Sequence, residues 1–257
     1  MPHKTFVILL FILSLTVAFI TACGESDSVS LPDPVVHYTF DTNASPVPDE
    51  AGSGKGAVPM AAPAYLATGG IGGTGAYQIE TNSQGFEIAD EAEDLMESKL
   101  YGQDGYSISA LINPKGTTTD GVYRIVYRYQ GYDLKLEAGA FQFWTSSADL
   151  TSDHDYRNKT SVSVATLNPA GANDTWWHLV GVSDGMNVYL YVNGELAAQV
   201  VAESIVRDLD DGQATSIGDH DSSFGFLGIV DDVAIYDAPL DADQVKKLYE
   251  QVTEPAE

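Results

Sequence analysis

The chain encodes an all-β fold: a two-sheet antiparallel β-sandwich (jelly roll) with a short C-terminal helix. Three observations carry this reading. Residues 175–201 hold three apolar runs divided by two turn signals, Ser183-Asp184-Gly185 and Asn193-Gly194. Asp-Gly and Asn-Gly suit tight hairpins because Gly lacks a Cβ and Asn or Asp tolerates positive φ. Within the runs the period is two, with Val188, Leu190 and Val192 on one face and Tyr189 and Tyr191 on the other. Roughly thirteen such short runs recur along the chain, with turn signals about every 8 to 12 residues.

The first 22 residues stand outside this pattern. Lys4 precedes an apolar run over residues 6–20 that only Ser14 and Thr16 interrupt. The run is short for a membrane span, which needs about 20 apolar residues, and has the layout of a secretory signal. Ile20-Thr21-Ala22-Cys23 then gives an aliphatic residue, two small residues and the single cysteine of the chain. This resembles a bacterial lipobox, which implies a signal peptide over 1–22 and lipidation of Cys23. Gly24 and Glu25 follow rather than the Asp associated with inner-membrane retention, so the expected address is the outer membrane of a Gram-negative cell. Residues 23–34 read as the lipidated Cys and a flexible tether, polar and containing Pro.

All 37 Asp and Glu lie beyond residue 22, and only Lys4 of the 12 Lys and Arg lies before it, so the remaining chain carries 11 − 37 = −26. Such a charge argues against nucleic acid or anionic lipid as a partner, because both are repelled. The expected membrane contact is through the N-terminal lipid only. One cysteine used as an anchor leaves no disulfide, so the fold depends on its core.

Along the domain, expected over 35–252 with a tail at 253–257, residues 35–40 form the first strand and 41–56 a loop. The glycine run over 69–75 lacks the Gly-Lys-Ser/Thr of a phosphate loop. Strands are expected at 76–80, 85–88, 106–113, 122–130, 132–137, 140–144 and 160–167, with a helical piece at 90–100 and a long polar loop at 146–159. In the strand at 122–130, alternation puts Tyr123, Ile125, Tyr127 and Tyr129 on one face and Arg124, Val126 and Arg128 on the other. After the hairpins, 214–218, 225–228 and 229–236 close the sheets. The last element has Val245, Leu248, Tyr249 and Val252 at helical spacing, with Asp241 and Asp243 where the helix dipole favours them.

These motifs resemble the laminin-G-like jelly-roll domains of the concanavalin A-like lectin and glucanase superfamily. Trp177-His178-Leu179-Val180 with Leu190-Tyr191-Val192-Asn193-Gly194 is similar to that family's central hairpin. Ser216-Ile217-Gly218, followed by Phe226 to Tyr236, is similar to its closing strand, and Leu240 to Tyr249 to its terminal helix. The resemblance spans about 35–251 and implies a fold; the family includes glycan binders, adhesive modules and appendages of enzymes, so activity does not follow from it.

It also implies a structural Ca²⁺ where the exit loop of the first strand meets the closing strand. Ca²⁺ takes six to eight oxygens, and Asp41, Asn43, Asp49 and Asp232 offer them, with carbonyls near Gly52. One of Asp231 and Asp232 must face inward and needs a partner there. For a ligand, the favoured residues are Tyr132, Trp144, Tyr156 and Arg157, with His154, Asp155 and His220 from the two Asp-His-Asp triplets. Aromatic faces stack on sugars, and charged groups bind their hydroxyls or carboxylates. Catalysis is not expected. The laminarinase-like enzymes carry Glu-x-Asp-x-x-Glu on a strand, whereas Glu93 and Asp94 are adjacent and would face opposite ways. The expected function is a surface-anchored, non-catalytic lipoprotein recognising an extracellular glycan or protein partner. The alternatives are a polysaccharide hydrolase or lyase on the same fold, and a structural or adhesive envelope protein.

Overall fold

The computed structural model describes residues 29–88, 105–118, 120–128, 131–146, 159–163, 173–201, 214–218 and 224–254. The expected signal, Cys23, the helical piece at 90–100, the loop residues His154, Asp155, Tyr156 and Arg157, and His220 lie outside the described residues.

The described chain forms β1 (Val36–Tyr38), β2 (Ala57–Met60), β3 (Ala64–Leu66), β4 (Ala76–Ile79), β5 (Gly85–Ile88), β6 (Tyr106–Pro114), β7 (Val122–Arg128) and β8 (Tyr132–Glu137). It continues with β9 (Ala140–Ser146), β10 (Lys159–Ser163), β11 (Trp177–Ser183), β12 (Asn187–Val192), β13 (Glu195–Val201), β14 (Thr215–Ile217), β15 (Gly228–Tyr236) and helix α1 (Ala242–Thr253). Sheet A runs β13-β12-β11-β6-β15-β4-β3, with β1 also on β15; sheet B runs β10-β9-β8-β7-β14-β5-β2. Every named pair is antiparallel.

The sheets face each other across one core. Phe40, Tyr77, Ile108, Leu179 and Leu190 from the sheet A side meet Phe86, Leu134, Phe141 and Phe143 from sheet B. The layers are tight at Gly181, where a Cβ would lie 2.4 Å from the Phe143 ring. The hairpins fold as their turn residues require: Asn193 and Gly194 have φ of 51° and 80° between β12 and β13.

The outer face of sheet A is covered too. Val180, Val182, Tyr191, Ala234 and Tyr236 pack against Val245 and Leu248 of α1, and Leu31 joins them from the N-terminal side. A capping box starts the helix: the Asp241 carboxylate accepts from Gln244 N at 2.8 Å, and the Gln244 side chain accepts from Asp241 N at 2.9 Å. Leu31, within the stretch expected to be tether, is thus packed against the domain.

Three local departures from the sequence reading matter for the site. β2 and β3 lie between the expected loop at 41–56 and the glycine run at 69–75, where no strand was expected. Both are edge strands, and an edge tolerates Pro59, whose missing N–H costs no ladder bond there. β7 has a bulge between Arg124 and Val126, so the expected alternation fails. Tyr123, Ile125 and Val126 all join the core, Tyr127 shifts to the outer face with Arg124, and Arg128 is fully buried. β15 has a second bulge at Asp232, with φ of 42°.

Candidate functional site

No helix or strand among the described residues packs over the outer face of sheet B. A cross-strand row runs over that face: Trp144 on β9 opposes Asp133 on β8, which opposes Tyr127 on β7, then Ser216 on β14 and Glu87 on β5. Directly opposed residues share a face, so the row is continuous. Beside it lies a second row, Gln142, Lys135 and Arg124.

Asp133 is the hub. It is fully buried, and its Oδ2 accepts from Arg124 Nε at 3.2 Å and Trp144 Nε1 at 3.0 Å, with Lys135 Nζ at 3.7 Å. Its Oδ1 has no hydrogen-bond partner among the described residues. Burial pushes the Asp133 carboxyl up from its ordinary range, against the opposing pull of Lys135 and Arg124. Lys135 also pairs with Glu137 at 2.5 Å.

Arg124 is held on three sides. Its guanidinium carbon sits 4.1 Å from the Tyr127 ring centroid and 5.1 Å from that of Phe224. Only its Nε is engaged by a described hydrogen bond, so the terminal nitrogens have no acceptor among the described residues. Phe224 is 38% exposed and is an open aromatic beside Arg124. Sequence reasoning set Arg124 on a face opposite Tyr127 and did not single it out; the bulge that unites them has no period-two signal.

The favoured ligand residues therefore divide. Trp144 lies on this face but is only 4% exposed, with its Nε1 committed to Asp133, and meets Tyr127 edge-on at 6.5 Å. It supports the site from beneath rather than forming an open platform. Tyr132 is excluded from the surface: it lies in the core, fully buried, with its hydroxyl 2.7 Å from Thr215 Oγ1 and its ring 5.9 Å from that of Tyr106. Its cross-strand partner is Arg128, and both sit on the inner face.

The expected cation ligands are not gathered as anticipated. Asp49 accepts from the amides of His37 at 2.8 Å, Ala51 at 3.0 Å and Ser53 at 2.7 Å, which fixes its own loop. Asp232 pairs with His37 Nε2 at 3.0 Å, and Asn43 is exposed. The bulge turns Asp231, not Asp232, inward to 1% exposure. Its Oδ1 accepts from Asp232 N at 2.9 Å. A Cβ on Gly70 would lie 2.3 Å from Thr74 Oγ1, 2.5 Å from Asp231 Oδ2 and 2.6 Å from the Gly75 carbonyl, so these oxygens crowd one point that only glycine leaves open. Asp41 Oδ1 accepts from Gly75 N at 3.1 Å nearby. Burial, then Asp232 and Asp41, push the Asp231 carboxyl up to about 8. Among the described residues no three Asp, Glu, His or Cys side chains cluster as a metal site. An ion here would depend on two carboxylates plus hydroxyl and carbonyl oxygens, an all-oxygen set of the kind Ca²⁺ accepts.

Against known proteins, several solved structures share this architecture. The receptor-binding domain of a botulinum neurotoxin C/D mosaic serotype aligns with a TM-score of 0.64 at 16% identity, covering 85% of this chain and 51% of that one. The binding domain of Paraclostridial Mosquitocidal Protein 1 gives 0.63 at 14%, covering 85% and 52%. This chain thus spans about half the length of those two. Domain 4 of an extracellular arabinanase from Geobacillus stearothermophilus, solved with arabinotriose, gives 0.62 at 18%, covering 84% of this chain and 98% of that domain. At these identities the likeness is one of fold. No curated protein sequence matches the chain. Residues 74–246, well over half of the chain, match a laminin-G profile, and the protein belongs to the concanavalin A-like lectin/glucanases superfamily.

Proposed function

We propose that this protein is an outer-membrane-anchored, non-catalytic lipoprotein that binds an extracellular glycan on the outer face of sheet B. The observation that carries the reading is Arg124: a guanidinium clamped between Tyr127 and Phe224, its terminal nitrogens without an acceptor among the described residues, on the sheet face that no described element covers. Fixing a guanidinium in advance lowers the entropy cost of binding a sugar hydroxyl pair or carboxylate. Phe224 supplies an exposed ring to pack on sugar C–H groups. Solved neighbours in complex with arabinotriose, SialylT and N-acetylneuraminic acid agree with a sugar partner. A neurotoxin neighbour in complex with rat synaptotagmin II keeps a protein partner as the other outcome. Among the described residues, the carboxylates beside Arg124 are tied to cations, Asp133 to Arg124 and Lys135 and Glu137 to Lys135, which favours binding over acid–base chemistry. The lipid anchor rests on Ile20-Thr21-Ala22-Cys23.

A glycan panel followed by titration calorimetry tests the site. Arg124→Ala and Phe224→Ala are each expected to weaken the best glycan at least about tenfold, as loss of one charge-assisted or stacking contact does. No glycan binding, or unchanged affinity in both variants, would move the function to a protein partner or a structural role.

Ca²⁺ belongs to this proposal as a stiffener of the rim, held by Asp41 and Asp231 rather than by Asp49 and Asp232. Thr74 Oγ1 and the Gly75 carbonyl add to the oxygen set, and water would supply the remaining positions. Melting in EDTA and then in excess Ca²⁺ is expected to show a rise of several °C, about 2.7 kcal/mol at one hundred times Kd. The rise should vanish in Asp231→Asn and survive in Asp49→Asn. No shift in the parent protein would remove the metal.

A further inference from the structure

We infer that the ligand of this face is a neutral, extended oligosaccharide that runs across strands β7, β14, β5 and β2, with Glu87 as the hydrogen-bond acceptor that sets its class. This deepens the glycan reading proposed above and rests on it. The cross-strand row does not stop at Glu87, which opposes Val58 on the edge strand β2. Directly opposed residues share a face, so Val58 carries the row to the sheet edge. Exposure rises in the same direction: Asp133, Tyr127 and Ser216 are buried, Glu87 is exposed and Val58 is 43% exposed. A lone exposed valine is ordinary. Here it lies in line with an exposed carboxylate and a clamped guanidinium. Glu87 makes no side-chain hydrogen bond or ion pair among the described residues.

The open part of the row has donors at one end and acceptors at the other. The Arg124 guanidinium lies 4.1 Å from the Tyr127 ring centroid, so it heads this part and offers only donors. Glu87, two strands further on, offers only acceptors. At ~4.8 Å per strand the two stand about 10 Å apart, and Val58 lies about 14 Å from Tyr127. A ligand that touches both ends is longer than one sugar ring. Hydroxyls suit both, because a hydroxyl accepts from a guanidinium and donates to a carboxylate. Val58 then packs on ring C–H groups beyond Glu87.

Charge selects against the acidic alternative. Arg124 and Lys135 already have counter-ions in Asp133 and Glu137, which leaves Glu87 as the uncompensated charge of the two rows among the described residues. An oligouronate carries a carboxylate on every unit, so a chain lying over the row sets one beside Glu87. Like charges in contact oppose binding, and the net negative charge of the whole chain repels at longer range. A single acidic sugar on Arg124 escapes Glu87, because about 10 Å exceeds the ~8 Å screening length at physiological salt. It would leave Glu87 and Val58 unused.

Titration calorimetry of the full chain tests this with probes of defined length and charge. The probes are arabino-, xylo-, manno- and gluco-oligosaccharides from mono- to hexasaccharide, oligogalacturonates of the same lengths, and N-acetylneuraminic acid. Affinity within the best neutral series is expected to rise at least about tenfold from the mono- to the tetrasaccharide, with the oligogalacturonates at least about tenfold weaker. Glu87→Gln is expected to weaken the neutral tetrasaccharide at least about fivefold and to leave the monosaccharide unchanged. Glu87→Lys is expected to bring the oligogalacturonate within about threefold of the neutral chain. Both variants replace an exposed side chain, and an unchanged melting temperature checks that they fold. Affinity independent of length would overturn the inference. So would an oligogalacturonate or N-acetylneuraminic acid bound as tightly as the best neutral chain, or a Glu87→Gln variant that matches the parent. The glycan reading beneath it fails in a different way, through binding that is absent for every probe or unmoved by Arg124→Ala and Phe224→Ala, and takes the inference with it.

Discussion

Asp133→Ala is expected to destabilise the domain by about 3 to 5 kcal/mol, the range for removing one partner of a buried ion pair, and to abolish glycan binding. A single oxygen of this carboxylate receives Arg124 Nε and Trp144 Nε1, with Lys135 Nζ at 3.7 Å. Truncation leaves an indole N–H without its acceptor under a Trp that is 4% exposed, and one guanidinium without its counter-ion. Arg124 and Lys135 are only 16% and 12% exposed, so water recovers little of the loss. Asp133→Asn keeps an acceptor for the indole and should recover part of the stability. It should not restore full affinity, because Arg124 would no longer be pinned by charge. Urea unfolding of the two variants, with the melting temperature alongside, reads the effect; at this chain size each kcal/mol shifts the melting point by about 2 to 4 °C. A loss below about 1 kcal/mol for Asp133→Ala would mean that the network contributes little beyond its desolvation cost. In that case Arg124 would be held mainly by Tyr127 and Phe224.

The residues that explain Asp133 also show where the sequence stops being legible. The hairpins β11–β12–β13 could be read directly from the alternation and the Asn193-Gly194 turn, apart from a register shift between Leu190 and Tyr191 that the pattern does not show. The terminal helix was equally plain from Val245, Leu248 and Val252. Edge strands β2 and β3 were hidden by proline, which marks a break in a central strand but is harmless at an edge. The functional face was hidden by a bulge. A period-two reading assigns Arg124 and Tyr127 to opposite faces, and one extra residue at Ile125 places them together. The same device at Asp232 decided which aspartate of the closing strand faces inward. The sequence says that one of the two must be buried; only the bulge selects Asp231. Asp49 was drawn into the cation set by its chemistry, yet a carboxylate within two and four residues of free loop amides satisfies those amides first. Bulges and loop closure depend on long-range pairing, and single-strand patterns do not encode it.

His178 should make the domain acid-sensitive in a way one substitution can isolate. It is 1% exposed beneath α1, its Nε2 lies 2.8 Å from Ser109 Oγ, and its ring stacks on Tyr249 at 5.8 Å. Its Nδ1 has no hydrogen-bond partner among the described residues, and burial is the one cause of its shift. Burial pushes it down from 6.5 to about 3. The unfolded chain therefore binds a proton below about pH 6.5 that the native state refuses until about pH 3, and stability falls as pH drops through that window. The slope approaches about 1.4 kcal/mol per pH unit, which integrates to about 2 kcal/mol between pH 6.5 and 4.5 because the unfolded imidazole is half protonated at the start. Asp231 works the other way: raised to about 8, it favours the native state in acid, and that contribution is lost as pH rises from about 4 to 8. The parent protein alone can therefore show a shallow profile while both groups titrate. His178→Gln removes one of them. Urea unfolding in EDTA at pH 6.5 and 4.5 should show the variant losing about 2 kcal/mol less than the parent on acidification. Parallel pH profiles would mean that the native ring takes its proton with ease, and hence that α1 opens over His178 far more readily than its packed contacts imply.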